Sequence, residues 1–239
     1  MIVCGHRGIA SLAPENTLAG LREAHRLGFT WVEIDVQLTR DEQVVVAHDE
    51  KVNRCTNGKG WLRQFDWQEL SRLDAGSWFS PAFADERIPL LRDYLALATR
   101  LGMHVNIEFK LYPGDDAERL CRRVSEIMAP GPFAPEKLLF SSFEPDCLRH
   151  LQKLQPNVAR ALLVEKIPDD WQTQLHRLSC RALHCHYRHL TQAQAQAVSA
   201  AGYQLNCYTV NQQCQADKLA SWGVNMIFTD KPLTTSGRR

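Results

Sequence analysis

The chain has 239 residues and carries 28 Lys and Arg against 27 Asp and Glu, which gives a formal net charge of +1. This length suits one large α/β domain or two small ones, and it allows a sizeable buried core. The balanced charge argues against a general electrostatic attraction to nucleic acid or to a membrane surface, and no apolar run approaches the ~20 residues of a membrane anchor.

The first residues and the cysteines indicate a cytoplasmic protein. Met1 leads directly into a short apolar stretch, without the basic segment and long apolar run of a secretion signal. The eight cysteines form no CxxC pair and no framework spacing, and several lie within apolar runs. We therefore expect reduced thiols and a location in the cytoplasm.

The first predicted strand covers residues 2–5 and is followed directly by His6 and Arg7. A helix is predicted next, opening at 14–17, with apolar side chains along one face. A His-Arg pair at a strand end is often structural, and Asn16 can simply be part of the N-cap of that helix. In barrels and open sheets of parallel strands, however, functional side chains lie at this end of the strands. His6 and Arg7 are therefore candidate site residues.

Alternating segments at 31–38 and 43–48 flank a polar break that is too short for a parallel crossover. We therefore predict a hairpin, in which Glu33 and Asp35 share a face and Glu33 lies roughly opposite His48. Such a fold-back gathers two carboxylates and an imidazole, which is typical of a catalytic site. The alternative is a solvated strand face, as in any half-exposed antiparallel sheet.

Residues 51–88 break the alternating pattern. They contain an Asn-Gly-Lys-Gly turn at 57–60 and several large aromatic side chains, among them Trp61, Trp67, Trp78 and Phe79. We predict a small insertion that packs on its own aromatic layer, with the turn as a mobile tip. It can be a plain structural flap or a lid that shapes a substrate pocket. Because it follows His48 directly, we expect it to influence which substrates bind and to leave bond-making intact.

From residue 89 onward, helical and extended patterns alternate regularly. Strands are predicted at 103–110, 138–142, 159–164, 182–185, 203–209 and 224–229. Helices are predicted at 90–101, 116–128, 145–154, 169–178, 191–201 and 212–222. Without the return limb of the hairpin, the chain contains eight strands joined by helices. The sequence therefore predicts an α/β fold, a (β/α)8 TIM-type barrel with a β-hairpin at strand 2, as one domain over 1–239 with the insertion 51–88 within it.

A second group of charged residues lies at the end of the next strand, where Asn106, Glu108 and Lys110 alternate along one face. A buried carboxylate needs a cation, and Lys110 can supply it in a simple ion pair with Glu108. Alternatively, Glu108 joins Glu33 and Asp35 in holding one hard divalent ion. All-oxygen ligation indicates Mg²⁺ or Ca²⁺ and not zinc.

Several motifs in this chain resemble those of one known family. They are, in order, His6-Arg7-Gly8, Pro14-Glu15-Asn16-Thr17, Glu33-Ile34-Asp35-Val36, His48-Asp49 and Glu108-Phe109-Lys110, with further matches at 73–79, 88–91, 141–143, 208–211 and 222–230. The ordered set resembles the glycerophosphodiester phosphodiesterases, in particular their compact bacterial cytoplasmic members, over nearly the whole chain. The resemblance implies a (β/α)8 barrel that uses a divalent metal. Such an enzyme hydrolyses glycerophosphodiesters, such as glycerophosphocholine or glycerophosphoethanolamine, to sn-glycerol 3-phosphate and an alcohol.

The resemblance also implies a role for individual residues. The implied metal ligands are Glu33, Asp35 and Glu108, and the implied acid–base pair is His6 and His48. Arg7 and Lys110 match phosphate-contacting positions, and Asn16 matches a supporting one. Tyr208 and Trp222 can flank the glycerol moiety of the substrate, with packing in the core as the alternative. His184 and His186 share a strand face without nearby ligands, so we expect them to be structural, with a position of one of them at the rim of the site as the alternative.

Two positions depart from the family pattern. Glu42 follows Asp41 where a glycine is common, and Asp85 stands before Glu86 where Gly-Glu is common. Both departures concern local turns and not the chemistry.

Two other functions remain consistent with the sequence. One is a lysophospholipase D-type phosphodiesterase acting on long-chain substrates. The other is a non-catalytic barrel that binds phosphorylated ligands, which would be expected to lack at least one of the histidines or carboxylates, and none is missing. The predicted partner is a small-molecule diester, without nucleic acid or a membrane anchor.

Overall fold

The computed structural model describes residues 1–129 and 133–234. The strands in this part of the chain are β1 Ile2–Gly5, β2 Trp31–Leu38, β3 Val44–Val46, β4 His104–Phe109, β5 Leu138–Ser142, β6 Ala159–Val164, β7 Ala182–His186, β8 Gln204–Tyr208 and β9 Met226–Thr229. The α-helices are α1 Leu18–Arg26, α2 Trp67–Leu70, α3 Leu91–Arg100, α4 Ala117–Met128, α5 Pro145–Leu154, α6 Trp171–Arg177, α7 Gln192–Ala200 and α8 Gln213–Ser221. Among the residues described, no helix combines the length and apolarity needed to cross a membrane.

Eight parallel strands close into a barrel. In the order β1-β2-β4-β5-β6-β7-β8-β9 each strand pairs with the next, and β9 pairs back onto β1. A helix lies between each strand and the next strand of the barrel, and β3 stands outside it, antiparallel to β2. The predicted (β/α)8 barrel with a hairpin at its second strand is therefore confirmed. Because all eight strands run the same way, their carboxyl ends meet at one end of the barrel.

The alternation along β2 shows why polar side chains occupy the barrel interior. Val32, Ile34 and Val36 are fully buried in the main hydrophobic core. Burial of each such side chain stabilises the fold by ~1.5–3 kcal/mol, so these positions set which face of the strand is turned to the helices. Period two then turns Glu33 and Asp35 to the barrel interior, where they are 3% and 1% exposed. The solvated-face alternative is wrong for these two carboxylates.

The hairpin forms, but its predicted register is wrong. The return strand is only Val44–Val46, and it pairs Val36 with Val46, one residue away from the predicted register. Glu33 lies beside Asn106 of β4 and not opposite His48. Beyond Val46 one further backbone hydrogen bond, from the Ala47 N–H to the Asp35 carbonyl over 3.0 Å, continues this register. The Gln37 side chain adds to it, since its Nε2 donates to three consecutive carbonyl groups at 47–49 over 2.9–3.0 Å and so helps to fix the segment that carries His48.

The two turns that depart from the family pattern differ in backbone conformation. Glu42 adopts a left-handed φ of 59°, the conformation that a glycine favours, and its carboxylate lies near the guanidinium groups of Arg119, Arg122 and Arg123. Asp85 is not in the left-handed region. The turn before β3 therefore forms without glycine at the cost of local backbone strain.

The insertion 51–88 packs a small cluster of its own beside β3. The buried members of this cluster are aliphatic: Val45, Val52, Leu62, Leu70, Ala75, Ile88 and Leu90. The predicted aromatic layer does not form, because Trp61 contacts the cations of Lys51 and Arg63 while Trp78 and Phe79 make a separate edge-to-face pair.

The tip of the insertion is held by hydrogen bonds and by close packing. The backbone N–H of Asn57 donates to the Asp74 carbonyl over 3.1 Å, and the Asp74 N–H donates to the Asn57 side chain over 3.0 Å. Gly58 packs so closely on Leu73 that a Cβ there would lie 2.7 Å from a leucine methyl group. These contacts join the turn at 57–60 to the rest of the insertion.

Candidate active site

Three carboxylates meet in the barrel interior at the carboxyl ends of β2 and β4. Glu33, Asp35 and Glu108 each place one oxygen within 4.8 Å of the others. Asp35 and Glu108 are register neighbours on adjacent parallel strands, so their side chains point into the barrel side by side. The Glu33 and Asp35 side chains are almost fully buried, and that of Glu108 is 11% exposed.

The electrostatics of this cluster favour a cation. Burial, together with the charge of Asp35, raises the pKa of Glu33 to about 8 and raises the pKa of Glu108 as well. Burial also opposes ionisation of Asp35, but Arg7, His48 and Lys110 outweigh it and lower the pKa of Asp35. One oxygen of Glu33 and one of Asp35 are buried without any hydrogen-bond partner. Unpartnered carboxylate oxygens at ligand spacing fit a hard divalent ion.

Two cations border the carboxylates. Arg7 follows β1 with a left-handed φ of 52°, and its Nε lies 3.4 Å from Asp35 Oδ2. Lys110 follows β4 and places Nζ 2.7 Å from Glu108 Oε1 and 3.7 Å from Asp35 Oδ1. The simple Lys110–Glu108 ion pair expected as an alternative therefore exists together with the carboxylate cluster. Three carboxylates against two cations leave this group one negative charge in excess when all are ionised.

His6 lies at the end of β1 and is oriented by a residue at the other end of the chain. Its Nδ1 lies 2.6 Å from Asp230 Oδ1, just after β9, and Asn211 donates to the other oxygen of that carboxylate over 2.7 Å. Burial opposes protonation of His6, but the hydrogen bond with Asp230 and the charge of Glu33 outweigh it, so the pKa of His6 is raised. Because a carboxylate accepts, Nδ1 carries the proton. This leaves Nε2 facing Glu33 at 3.8 Å.

His48, which follows β3, is oriented in the same way, by a carboxylate at Nδ1. Its Nδ1 lies 2.7 Å from the carboxylate of Asp49, which leaves Nε2 free for the cavity. Its backbone carbonyl accepts a hydrogen bond from the Tyr112 hydroxyl over 2.6 Å, in addition to the bond from Gln37. Burial lowers the pKa of His48 in spite of the charge of Asp35.

Asn16 supports a carboxylate. Its φ is 58°, and its side chain donates to Asp35 Oδ2 over 3.0 Å while accepting from the Asp35 backbone N–H over 3.2 Å. Thr17, and not Asn16, caps α1, since its side chain accepts from the Gly20 N–H. Asn16 is therefore placed to orient Asp35.

One cavity of about 280 Å³ connects these groups. Glu33, Glu108, both histidines, Arg7 and Lys110 line it, and so do Asn106, Phe143, Leu163, His184, His186, Tyr208 and Phe228. His184 pairs with Asn206 at 2.9 Å, and burial lowers its pKa to about 3, which agrees with a structural histidine. Tyr208 is fixed by a 2.9 Å hydrogen bond from its hydroxyl to the Val164 carbonyl.

Trp222 is not brought to this cavity. It is the C-cap of α8, which leads back to the amino end of β9, at the opposite end of the barrel. Its ring lies under the Lys218 ammonium at 4.7 Å and packs on the main core. The predicted contact of Trp222 with substrate is therefore wrong, because helices in this fold run opposite to the strands.

The structure adds residues that the sequence reasoning missed. Asp49 and Asp230 hold the two histidines, and Glu15 accepts from Arg7 Nη1 over 2.8 Å. Glu15 and Asp49 lay within the motifs His48-Asp49 and 14–17 but received no role from the residues alone. Arg54, which hydrogen-bonds to both Glu15 and Asp49, was also missed. An arginine within an irregular segment has no periodic pattern that would mark it as part of a site.

The chemistry available in this cavity defines a class of protein. Fixed cations can neutralise a phosphate group, and two imidazoles with a free Nε2 can move protons on either side of it. Their position at the carboxyl end of a barrel is that of an enzyme site. The fold and the site together are those of a barrel-type phosphoester hydrolase.

Comparison with known proteins agrees with this class. Residues 6–234 match the model of the glycerophosphoryl diester phosphodiesterase family, and the chain belongs to that family. A glycerophosphodiester phosphodiesterase of Caldanaerobacter subterraneus is 35% identical over 98% of this chain and 95% of its own length. A phosphodiesterase of Oleispira antarctica, solved with its product sn-glycerol-3-phosphate, is 37% identical with a TM-score of 0.92, covering 96% of this chain and 93% of that one. The predicted family and the predicted enzyme class, a phosphodiesterase, are thereby confirmed.

Proposed function

We propose that the protein hydrolyses glycerophosphodiesters, such as glycerophosphocholine or glycerophosphoethanolamine, to sn-glycerol 3-phosphate and an alcohol, with the aid of a divalent cation. The observation that carries the proposal is a cluster of three carboxylates beside a cavity that two of them line together with two cations and two histidines. Glu33, Asp35 and Glu108 would hold the cation, which is Mg²⁺ or Ca²⁺ because every ligand is oxygen. When bound, it supplies positive charge that stabilises the developing charge on the phosphoryl oxygens.

The side chains of this protein bind and orient the phosphate. A phosphodiester carries a negative charge that repels nucleophiles, so neutralising it in the transition state lowers the barrier. Arg7 offers a planar guanidinium, and Lys110 offers a compact charge near the Phe143 ring, 5.8 Å from its centroid. Both are held by carboxylates before the substrate arrives, so the charges need no reorganisation.

The histidines transfer protons at Nε2. One of them takes the proton of the attacking hydroxyl group, and the other gives a proton to the oxygen of the leaving alcohol. The attacking hydroxyl is that of water or the 2-hydroxyl of the substrate's own glycerol, and the second route passes through a cyclic phosphate that water then opens. Asp49 and Asp230 keep Nδ1 protonated, so each imidazole presents the nitrogen that the reaction needs.

A long-chain diester is a second candidate substrate, favoured by one observation. Phe143 at the wall of the cavity is 42% exposed and offers an apolar contact for an acyl chain. Such a substrate would make the protein a lysophospholipase D-type phosphodiesterase. A purely phosphate-binding barrel would not need two histidines with oriented imidazoles.

Product analysis distinguishes these functions. Purified protein is incubated with glycerophosphocholine, glycerophosphoethanolamine or lysophosphatidylcholine, in Mg²⁺, Ca²⁺ or EDTA, and products are followed by phosphorus NMR. We expect sn-glycerol 3-phosphate from the first two substrates, no product in EDTA, and turnover lowered by ~10²-fold or more in the control variant His48→Ala. Binding without turnover of any diester would contradict the proposal, and preferential release of lysophosphatidic acid would support the second candidate.

A further inference from the structure

We propose that Arg54 of the insertion is a positioning residue that holds Arg7 and His48 in a fixed relation through two carboxylates. The inference rests on the proposed roles of Arg7 in phosphate binding and of His48 in proton transfer. It assigns part of the insertion to the catalytic arrangement, where the sequence predicted only an influence on substrate choice.

A continuous chain of hydrogen bonds supports this assignment. Arg54 Nη1 and Nη2 donate to the two oxygens of Glu15 over 2.6 and 2.8 Å, and Glu15 Oε1 also accepts from Arg7 Nη1 over 2.8 Å. On its other side, Arg54 Nε and Nη2 donate to the two oxygens of Asp49 over 2.7 and 2.9 Å. Asp49 Oδ1 in turn binds His48 Nδ1 at 2.7 Å. One guanidinium group thus links the carboxylate that binds Arg7 to the carboxylate that binds His48.

The geometry at each carboxylate is bidentate, which restricts orientation more than a single contact does. Nη2 of Arg54 is shared between Glu15 Oε1 and Asp49 Oδ1, the same two oxygens that bind Arg7 and His48. A rotation of either carboxylate would therefore move the acceptor of Arg7 or of His48. Lysine cannot replace this arrangement, since its ammonium is a single point with no planar fork.

The charges alternate along the network. Glu15 is 10% exposed in its side chain, and its hydrogen bonds with Arg54 and Arg7 outweigh burial and lower its pKa. The hydrogen bonds of Arg54 and His48 lower the pKa of Asp49 to about 2. Without Arg54, both carboxylates would stay ionised at neutral pH and lack their shared cation. Glu15 would then attract Arg7 more strongly, and Asp49 would be free to turn away from His48.

Anchoring of the insertion to the barrel is a separate function, and the chain offers a matched control for it. Arg40, in the hairpin turn, makes a bidentate pair with Asp66 of the insertion over 2.9 and 2.6 Å. The Arg40 and Arg54 side chains are 56% and 46% exposed, so the two pairs are similar in kind. The side-chain hydrogen bonds of Arg40 go to Asp66 and Glu69, and neither of these residues lines the main cavity with the histidines. The two arginines therefore separate anchoring from positioning.

Arg54 is not placed to contact the substrate directly. Arg54 lines a small adjoining cavity of about 40 Å³ together with Glu15 and Asp49, and it does not line the cavity that holds the carboxylate cluster. Its five hydrogen-bonding positions are largely taken by the two carboxylates. Its influence therefore passes through Arg7 and His48.

The test compares Arg54→Ala, Arg54→Lys and Arg40→Ala with the unmodified protein. Arg54→Ala should lower kcat/KM by ~10²-fold, the usual effect of a small misplacement of reacting groups, while Arg40→Ala stays within about twofold. Arg54→Lys should recover only part of the loss. Millimolar guanidinium chloride should partly restore Arg54→Ala and leave Arg40→Ala and His48→Ala unchanged. Adding Asp49→Asn to Arg54→Ala should cost little more, because both act on the same imidazole.

A second measurement does not depend on turnover. Imidazole nitrogen NMR should show His48 with its proton on Nδ1 in the unmodified protein and in Arg40→Ala, and a mixture of tautomers in Arg54→Ala. If Arg54→Ala does not fold, Arg54→Lys and Asp49→Asn carry the same comparison.

Three results would overturn the inference. The first is an Arg54→Ala variant with normal kcat and KM. The second is an equal loss of activity in Arg54→Ala and Arg40→Ala, with an equal fall of the melting temperature. The third is an effect of Arg54→Ala that is confined to the KM for one head group. An inactive unmodified protein would instead contradict the proposed function, and the NMR comparison would still decide the role of Arg54.

Discussion

Glu33 provides the sharpest test of the proposed cation site. Its side chain is buried beside Asp35, and burial together with that charge raises its pKa from 4.5 to about 8. A shift of this size corresponds to on the order of 5 kcal/mol of free energy against the ionised form. A cation that binds all three carboxylates must displace the proton of Glu33, which with a pKa of about 8 costs about 1.4 kcal/mol at pH 7, or about tenfold in apparent affinity.

Cation affinity should therefore depend on pH. Between about pH 5.5 and pH 7.5, each unit should raise the apparent affinity for Mg²⁺ or Ca²⁺ about tenfold, with about one proton released per ion. Isothermal titration calorimetry in two buffers of different ionisation enthalpy measures the affinity and the proton release together. The sign follows because the cation-free protein holds a proton that the loaded protein has lost.

The stability of the cation-free protein should show the opposite trend. Glu33 keeps its proton in the folded state at pH values where the unfolded chain has lost it, so the free energy of unfolding falls as pH rises from about 4.5 towards about 8. Thermal melts in EDTA across this range should show the fall, and added cation should reduce it most at high pH.

Two variants serve as control and counterpart. Glu33→Gln should lose the proton release and most of the affinity while keeping its circular dichroism spectrum. Glu126→Gln, which changes an exposed carboxylate of α4 paired with Arg122 and Arg123, should alter neither. Tight cation binding that is independent of pH and releases no proton would refute the reasoning, because Glu33 would then be ionised beforehand or not be a ligand.

Three further predictions concern catalysis and folding. His6→Ala and His48→Ala should each lower kcat by ~10²-fold or more in assays of sn-glycerol 3-phosphate release, and the double variant should lose less than the product of the two. Near-normal turnover of either single variant would remove that histidine from the mechanism. Asp230→Asn should lower kcat by ~10–100-fold with little change in KM, because His6 loses the acceptor that fixes its tautomer; a change in KM alone would contradict this. Glu42→Gly should raise the free energy of unfolding by ~0.5–1 kcal/mol in urea denaturation, since φ at this position is 59°. A lower stability would mean that the exposed ion pairs of Glu42 outweigh the backbone strain.

The order of elements along the chain could be read from the sequence because it depends on local periodicity. Residues that alternate in β2 and β4 show which side chains share a face of each strand, and this placed Glu33 with Asp35. The grouping of Glu108 with them was one of two alternatives from the residues and was otherwise implied by the family resemblance. The motif at 6–8 could be assigned to a strand end for the same reason. Local periodicity was sufficient to predict which side chains share a face of the same strand.

The hairpin shows where local pattern failed. Its existence followed from the short polar break, but its register depended on which residues could keep pairing with β2. Beyond Ala47 the segment is held by side chains, among them the Gln37 amide, which donates to three carbonyl groups. Such side-chain contacts leave no periodic signal, so the position of His48 relative to Glu33 was misjudged.

The sequence by itself determined the barrel, its family and the residues with charged or titratable side chains in the motifs. Only the tertiary structure decided the partners of those residues. Closure of the barrel brings Asp230 to His6 across 224 positions of the chain, and it carries Trp222 to the far end. Folding of the insertion brings Arg54 between Glu15 and Asp49. Such long-range contacts depend on how whole helices and strands pack together, and the residue spacing within one segment does not predict this packing.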